Sequence, residues 1–169
     1  RENQFYFSEP FVSLPVVIVT RKDFKIGNKE LTLGDFSAKQ VAITDGYGAM
    51  EYVKNNYQKI IIDSVSDDEV ALQKVLLGEV DAAIMDVASL SYYTSRDMLS
   101  YVTIAGQTGY TYDLSFAVPK NMPELQEILN AGLKEITPSE KSLIADRWIT
   151  FPENQQNSRG FFSPLFVGT

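Results

Sequence analysis

Residues 60–86 read IIIDSVSDDEVALQKVLLGEVDAAIMD and contain the signals of a strand, a helix and a second strand. The β-branched run at residues 60–65 predicts a buried strand. Ser66 and Glu69 match a capping box, which predicts the start of a helix, and Gly78 predicts its end. The apolar residues within 81–85 predict the second strand. Two strands joined by a helix of this length indicate parallel pairing in an α/β sheet.

The same alternation continues on both sides of this segment. Short apolar or β-branched runs predict further strands at residues 16–20, 41–44, 101–105 and 114–118. Helical spacing of apolar residues predicts helices at residues 49–57 and 86–96. Strands that alternate with helices of about ten residues indicate a mostly parallel sheet covered by helices.

Two more helices are predicted near the end of the chain. Asn121 or Met122 begins the first of them, with Pro123 in its first turn. Thr137 and Glu140 form a second capping box, which predicts the start of the last helix. The last helix is predicted to pack three apolar side chains inward: Leu143, Ile144 and Trp148.

The composition excludes several classes of function. The chain has 169 residues, no cysteine, no histidine and a net charge of −7. The absence of cysteine and histidine excludes a disulfide framework and a Ser-His or Cys-His nucleophile, and removes the usual zinc and haem ligands. A nucleic-acid partner needs clustered Lys and Arg, which an acidic chain does not supply. We predict no cofactor and no metal. The longest apolar stretch, residues 11–19, is far shorter than the ~20 residues that span a bilayer.

A strand-to-helix turn at Asp45, Gly46, Tyr47 and Gly48 is one candidate site for chemistry. In open α/β sheets, ligands bind outside the carboxyl ends of the strands. The glycines let the backbone approach a ligand, and the first amides of the following helix favour an anion such as a carboxylate. The alternative is a tight turn with no ligand, since short turns that contain glycine are common.

Asp86, at the end of the strand AAIM, is the second candidate. A carboxylate at this position accepts hydrogen bonds from an ammonium group of a ligand, or it caps the helix that follows. The two roles are compatible with each other. Asp81, at the other end of the same strand, is expected to face away from the site.

Two other groups of residues have structural explanations. Asp63, Asp67, Asp68 and Glu69 do not have the spacing of a calcium loop, and the pattern assigns part of them to helix capping. Four tyrosines offer rings that stack on a ligand or that pack in the core and at its rim: Tyr92, Tyr93, Tyr110 and Tyr112.

The sequence resembles the bacterial extracellular solute-binding proteins of family 3, which bind amino acids. The resemblance covers residues 1–149 and rests on six segments in the family's order. They are RENQFYFSEPF, LPVVIVTRKD, VAITDGYGAMEYV, VALQKVLLGEVDAAIMD, LSFAVPKNMPEL and ITPSEKSLIADRWI. The versions of the family that are joined to membrane sensor histidine kinases and diguanylate cyclases are the most similar.

The resemblance implies the type II periplasmic-binding-protein fold, an α/β architecture in which two lobes close on a small ligand. Residues 1–19 then belong to lobe 1 and the hinge strand, and residues 20–117 form lobe 2. Residues 118–149 return to lobe 1 as two helices, and residues 150–169 are a C-terminal tail or linker. We expect the second lobe to be complete and the first to be only partly present.

The resemblance also implies a set of ligand-binding residues. Arg1 matches the arginine that holds the ligand's α-carboxylate through two parallel hydrogen bonds. Gly46, Tyr47 and Gly48 match the turn whose amides complete the carboxylate site, and Gly48 stands where the family commonly has a Ser or Thr hydroxyl. Asp86 matches the aspartate that holds the α-ammonium group.

The function that these matches imply is the sensing of a small zwitterionic or carboxylate solute outside the cytoplasm. The domain is expected to be tethered to an inner-membrane signalling protein and to signal by lobe closure. Chain that continues past Trp148 favours this hypothesis. The first alternative is the substrate-binding protein of an amino-acid ABC transporter. The second is a periplasmic enzyme on the same fold, a dehydratase or the accessory domain of a lytic transglycosylase, but no acid–base pair is evident.

Overall fold

A computed structural model of the chain describes residues 4–24, 30–94 and 101–149. Its strands are β1 (Phe5–Phe7), β2 (Val12–Arg21), β3 (Gln40–Thr44), β4 (Ile61–Val65), β5 (Ala82–Asp86), β6 (Val102–Leu114) and β7 (Ala117–Pro119). Its helices are α1 (Gly48–Asn56), α2 (Asp68–Leu77), α3 (Val87–Thr94), α4 (Pro123–Glu135) and α5 (Pro138–Trp148), and a single 3₁₀ turn spans Leu33–Phe36.

The larger sheet has five strands in the order β4-β3-β5-β2-β6. β3 pairs in parallel with β4 and with β5, as the strand–helix–strand pattern predicts. β2 pairs antiparallel with both β5 and β6, so the sheet is mixed rather than mostly parallel. The expectation of a mostly parallel sheet is wrong at this side because β2 and β6 do not belong to a strand–helix–strand unit.

The core lies on both faces of the sheet and is clearest along β2. Val16 to Val19 are fully buried, and alternate side chains point to opposite faces of a strand. Val16 and Ile18 pack with the α1 side chains Met50 and Val53. Val17 and Val19 pack on the other face, which α2 and α3 cover. Each face is therefore covered, as expected for strands with continuous apolar sequence.

The strand predicted at residues 114–118 overlaps the last residue of β6 and two residues of β7. β6 itself has 13 residues and extends well beyond the strand predicted at residues 101–105. Its pairing with β2 shifts in register between Pro15 and Val17, and Gly109 has a positive φ of 78° in this region. The irregularity breaks the alternation of apolar side chains without breaking the strand. Gly106 lies against the backbone of Leu31, where a Cβ atom would overlap the Leu31 carbonyl.

The ends of α2 are partly as predicted. Gly78 ends the helix with a φ of 74°, as its position in the sequence predicts. The N-cap is Asp67, not Ser66: the Asp67 carboxylate accepts a hydrogen bond from the Val70 amide at 2.9 Å. The Ser66 hydroxyl instead donates to the Asp67 carboxylate at 2.8 Å. Asp and Ser are about equally good caps, so capping preference alone does not distinguish them.

α5 begins with the predicted capping box, in which the Thr137 hydroxyl lies 2.8 Å from the Glu140 carboxylate. The prediction that its apolar face packs inward is wrong for the described residues, since Leu143, Ile144 and Trp148 are 65%, 52% and 77% exposed. Part of this face borders a cavity of about 600 Å³ that Phe11 and Phe116 also line. The second sheet is small, with β1 paired to β7 over three residues.

No helix in the described ranges is both long enough and apolar enough to cross a membrane. The longest, α4, has 13 residues.

Candidate ligand-binding site

The two candidate sites lie together at one edge of the larger sheet. β3 and β5 are adjacent parallel strands, and Ile43 is paired with Ile84. Two residues further along each strand, the chain reaches Asp45, which starts the turn before α1, and Asp86, which ends β5. The rule that parallel strands present their carboxyl ends at the same edge therefore brings these two candidates together.

The turn before α1 has the geometry that its glycines predict. Gly46 has a φ of 73°, a left-handed conformation that favours glycine, and a Cβ there would have no neighbour within 4 Å. Tyr47 is the N-cap residue and is 43% exposed. Gly48 and Ala49 are the first two residues of α1, whose amides have no intrahelical carbonyl to bond. The turn is thus tight, and the Gly48 amide at this edge has no intrahelical partner.

Asp86 caps α3, which confirms one of its two predicted roles. One carboxylate oxygen accepts hydrogen bonds from the amides of Ala88 and Ser89 at 2.8 and 2.9 Å. The other oxygen accepts from the Ser89 hydroxyl at 2.9 Å. A carboxylate oxygen accepts about two hydrogen bonds, so the second oxygen keeps room for one more donor. Capping α3 is therefore compatible with holding an ammonium group, which stays a prediction.

Asp68 is a buried carboxyl group at this edge, for which the sequence predicts no role in the site. Its side chain is 4% exposed and accepts a hydrogen bond from the Thr44 hydroxyl at 2.5 Å. Burial raises the pKa of Asp68, while its hydrogen bonds with Thr44 and Ser89 oppose that rise. Ser89 therefore contacts both Asp68 and Asp86. The adjacent pair Asp67-Asp68 carries no sequence signal that one member is exposed and the other buried.

Three tyrosines surround the start of α1. The Tyr112 ring lies 6.2 Å from the Tyr47 ring and 5.3 Å from the Tyr110 ring, edge to face in both pairs. The Tyr112 hydroxyl accepts a hydrogen bond from the Ala49 amide at 3.2 Å. Burial raises the pKa of Tyr112 to about 12, so this phenol is neutral at physiological pH. Tyr110 and Tyr112 are recognisable in the sequence as rings that could stack or pack, but no sequence pattern connects them with the turn.

The electrostatic environment of Tyr47 is acidic. Burial is the main cause that raises the pKa of the Tyr47 phenol, and the carboxylates of Asp68, Asp86 and Asp67 raise it further. Acidic groups from the ends of β5 and α2 thus act on the exposed residue of the turn. The part of this sheet edge beside Asp86 is therefore suited to a positively charged group of a ligand.

Two predicted features lie outside the described residues: Arg1 and the tail at residues 150–169. Among the described residues, no group of three or more acidic side chains is arranged to hold a metal ion.

The mixed sheet with helices on both faces, together with its likeness to solved structures, places this chain in the class of type II periplasmic-binding proteins. The chain belongs to the bacterial extracellular solute-binding proteins, family 3, whose model matches residues 1–151.

Three relatives illustrate the range of the family. The sensor protein EvgS of Escherichia coli is 30% identical over 169 residues, which cover 98% of this chain but 14% of EvgS. The crystal structure of the Bordetella pertussis BvgS periplasmic VFT2 domain is 27% identical with a TM-score of 0.75, and the match covers 88% of this chain and 62% of that one. A mutant of arginine-bound ArgBP from T. maritima is 26% identical with a TM-score of 0.67, over 81% of this chain and 62% of that one.

The chain therefore spans about a seventh of the EvgS sequence and less than two thirds of each of these two structures. The relatives include both sensor proteins and solute-binding proteins.

Proposed function

We propose that this chain is part of an extracytoplasmic sensor domain that binds a small zwitterionic or carboxylate solute such as an amino acid. In this proposal the ligand's ammonium group binds Asp86, and its carboxylate binds the amides of Gly46, Tyr47 and Gly48 together with Arg1. Lobe closure on the solute then shifts a two-state equilibrium of a membrane signalling protein. The domain itself performs no catalysis.

The observation that carries the proposal is the placement of Asp86 beside the turn before α1. A carboxylate with one free acceptor position and the first amides of a helix lie at the same sheet edge. These groups are complementary to the two charged ends of an amino acid, because a helix start favours an anion and a carboxylate favours an ammonium group. The likeness to EvgS and BvgS supports the sensor role.

A second candidate is the substrate-binding protein of an amino-acid ABC transporter. The likeness to arginine-bound ArgBP supports it. Both candidates share the same ligand chemistry and differ in what the domain is attached to. The gene region that follows this chain separates them, since a membrane segment with a kinase or cyclase domain supports sensing and a stop codon supports transport.

Isothermal titration calorimetry of the full-length protein with the proteinogenic L-amino acids tests the ligand class. We expect at least one amino acid to bind, and Asp86→Asn to remove that binding. Asn keeps a side-chain oxygen that caps α3, so this variant removes mainly the charge. If the wild-type protein binds none of these amino acids and no small carboxylate, the proposed ligand class is wrong.

Asp81→Asn is the matched control. Asp81 lies at the opposite end of β5, where its carboxylate accepts a hydrogen bond from the Gln40 amide at 3.0 Å and lies 3.6 Å from the Lys39 ammonium group. The same change of charge at this position is expected to leave amino-acid binding unchanged. Equal losses of binding in the two variants would mean that Asp86 acts only through the net charge of the lobe.

A further inference from the structure

The space beside Gly48 is filled by another side chain. A Cβ atom at residue 48 would overlap the Tyr110 hydroxyl and lie 3.6 Å from a ring carbon of Tyr112. A side-chain hydroxyl at residue 48 therefore has no room in this lobe as it stands. Any hydroxyl group at the start of α1 must come from another element. β6 supplies two: the Tyr110 hydroxyl occupies the side-chain space at residue 48, and the Tyr112 hydroxyl bonds the Ala49 amide.

The hydrogen bonds of the Tyr112 hydroxyl leave its proton available. The oxygen accepts from the Ala49 amide at 3.2 Å, which satisfies one of the amides at the start of α1. Because the phenol is neutral, it still carries a proton to donate. Within residues 4–24, 30–94 and 101–149, no group accepts that proton.

Tyr112 lies near both the turn before α1 and the carboxylate of Asp86. Its ring meets the exposed Tyr47 ring edge to face, and the carboxylates of Asp86 and Asp68 act on its phenol. A donor at the start of a helix favours an anionic acceptor, and Asp86 favours a cation. The Tyr112 hydroxyl lies at the start of α1, where a ligand carboxylate is expected, and its proton is free for an anionic acceptor.

We propose that Tyr112 is a specificity-determining residue, whose hydroxyl donates a hydrogen bond to the carboxylate of the bound ligand beside the Gly48 amide. The proposal rests on the proposed function, because it names a further donor in the same site. In this arrangement the Ala49 amide fixes the position of the hydroxyl, and the hydroxyl in turn contacts the ligand. A residue on β6 replaces a side chain that α1 does not provide.

The test compares an amino acid that binds the wild-type protein with the same amino acid as its carboxamide. A hydrogen bond to a charged acceptor is stronger than one to a neutral acceptor. In the full-length protein, Tyr112→Phe is expected to weaken binding of the amino acid about tenfold or more, and binding of the carboxamide by much less. Isothermal titration calorimetry measures both affinities.

Tyr52→Phe is the matched control, since it removes the same atom from the same cluster of rings. The Tyr52 ring lies 5.1 Å from the Tyr110 ring, but its hydroxyl lies 3.4 Å from the Thr108 carbonyl oxygen, away from the α1 amides. This variant is expected to bind both probes as the wild-type protein does.

A rescue variant distinguishes the loss of the Tyr112 hydroxyl from misfolding of the Tyr112→Phe protein. In Tyr110→Phe the overlapping hydroxyl is gone, and the nearest ring carbon lies 3.3 Å from a Cβ at residue 48. The triple variant Gly48→Ser, Tyr110→Phe, Tyr112→Phe returns one hydroxyl to the start of α1. It is expected to recover most of the preference for the amino acid over its carboxamide.

The possible results separate this inference from the proposed function. If the wild-type protein binds neither an amino acid nor a small carboxylate, the proposed function fails and the role of Tyr112 fails with it. If it binds one and Tyr112→Phe weakens the acid and the carboxamide equally, or neither, only the role of Tyr112 is overturned. A triple variant that binds the amino acid no better than Tyr112→Phe also counts against it.

Discussion

The Thr44 hydroxyl donates a hydrogen bond of 2.5 Å to the carboxyl group of Asp68, and both side chains are buried. Thr44 is the last residue of β3 and Asp68 is the first residue of α2, so this contact fixes a helix start against the edge of the sheet that carries the candidate site. The contact satisfies two polar groups that would otherwise be costly to bury. It also places the titratable carboxyl group of Asp68 next to the candidate site.

Asp68→Asn is expected to change how stability depends on pH. Burial raises the folded-state pKa of Asp68 above its ordinary 3.8, and the carboxylates of Asp86 and Asp67 add to this rise. The folded state therefore binds the proton more tightly than the unfolded chain. This contribution to the free energy of unfolding is full below pH 3.8 and is lost as pH rises through the folded-state pKa. Asn is neutral at every pH and has no such loss.

Urea unfolding from about pH 4 to pH 7 measures the effect. The free energy of unfolding of Asp68→Asn, relative to the wild-type protein, is expected to increase with pH. Asp67→Asn is a control of opposite sign, because hydrogen bonds from the Val70 amide and the Ser66 hydroxyl lower the pKa of Asp67. Stability from Asp67 is lost as pH falls. A pH-independent difference for Asp68→Asn would contradict the prediction.

Two Gly→Ala substitutions are expected to change stability in opposite directions. Gly78 has a φ of 74° at the end of α2, and an added Cβ would overlap the guanidinium of Arg21. Gly78→Ala should therefore destabilise the fold by at least about 1 kcal/mol. Gly132 is exposed inside α4, with no atom within 4 Å of an added Cβ. Gly132→Ala should stabilise by about 0.5–1 kcal/mol.

Midpoints of urea unfolding measure both variants under one set of conditions. A stabilising Gly78→Ala would mean that the end of α2 does not need its left-handed residue. A neutral Gly132→Ala would mean that α4 contributes little to the cooperative unfolding transition.

The fold of the central region could be predicted because its signals are local. The segment from β3 to β5 alternates between the strand and helix periods, and its pairing is parallel as expected. The pairing of β2 with β6 could not be predicted, since it joins residues that are far apart and includes an irregular register. The burial of Trp148 was predicted wrongly, because the pattern shows that a helix has an apolar face but not what covers it.

The candidate site could likewise be predicted only in part. The proximity of Asp86 to the turn before α1 follows from the rule that parallel strands end at the same edge of a sheet. Tyr112 could not be assigned to that turn from the sequence, since 63 residues separate it from Ala49. The burial of Asp68 could not be predicted either. Asp67 and Asp68 are adjacent and chemically identical, and the orientation of α2 decides which of the two side chains points inward.

The capping role of Asp86 predicts different effects of Ala and Asn at that position. Asp86→Ala removes the acceptor of the Ala88 and Ser89 amides, so it should destabilise the fold by about 1 kcal/mol. Asp86→Asn keeps a side-chain oxygen, so its free energy of unfolding should lie close to that of the wild-type protein. Urea unfolding of the unliganded protein measures both.

This comparison decides how a loss of binding at Asp86 is interpreted. If Asp86→Asn is as stable as the wild-type protein and binds no amino acid, the lost interaction is that of the carboxylate charge with the ligand. If instead Asn destabilises as much as Ala, the start of α3 needs a negative charge and not only an acceptor, as the helix dipole allows. In that case binding and capping are coupled through one carboxylate, and only a variant with its cap restored at another residue separates them.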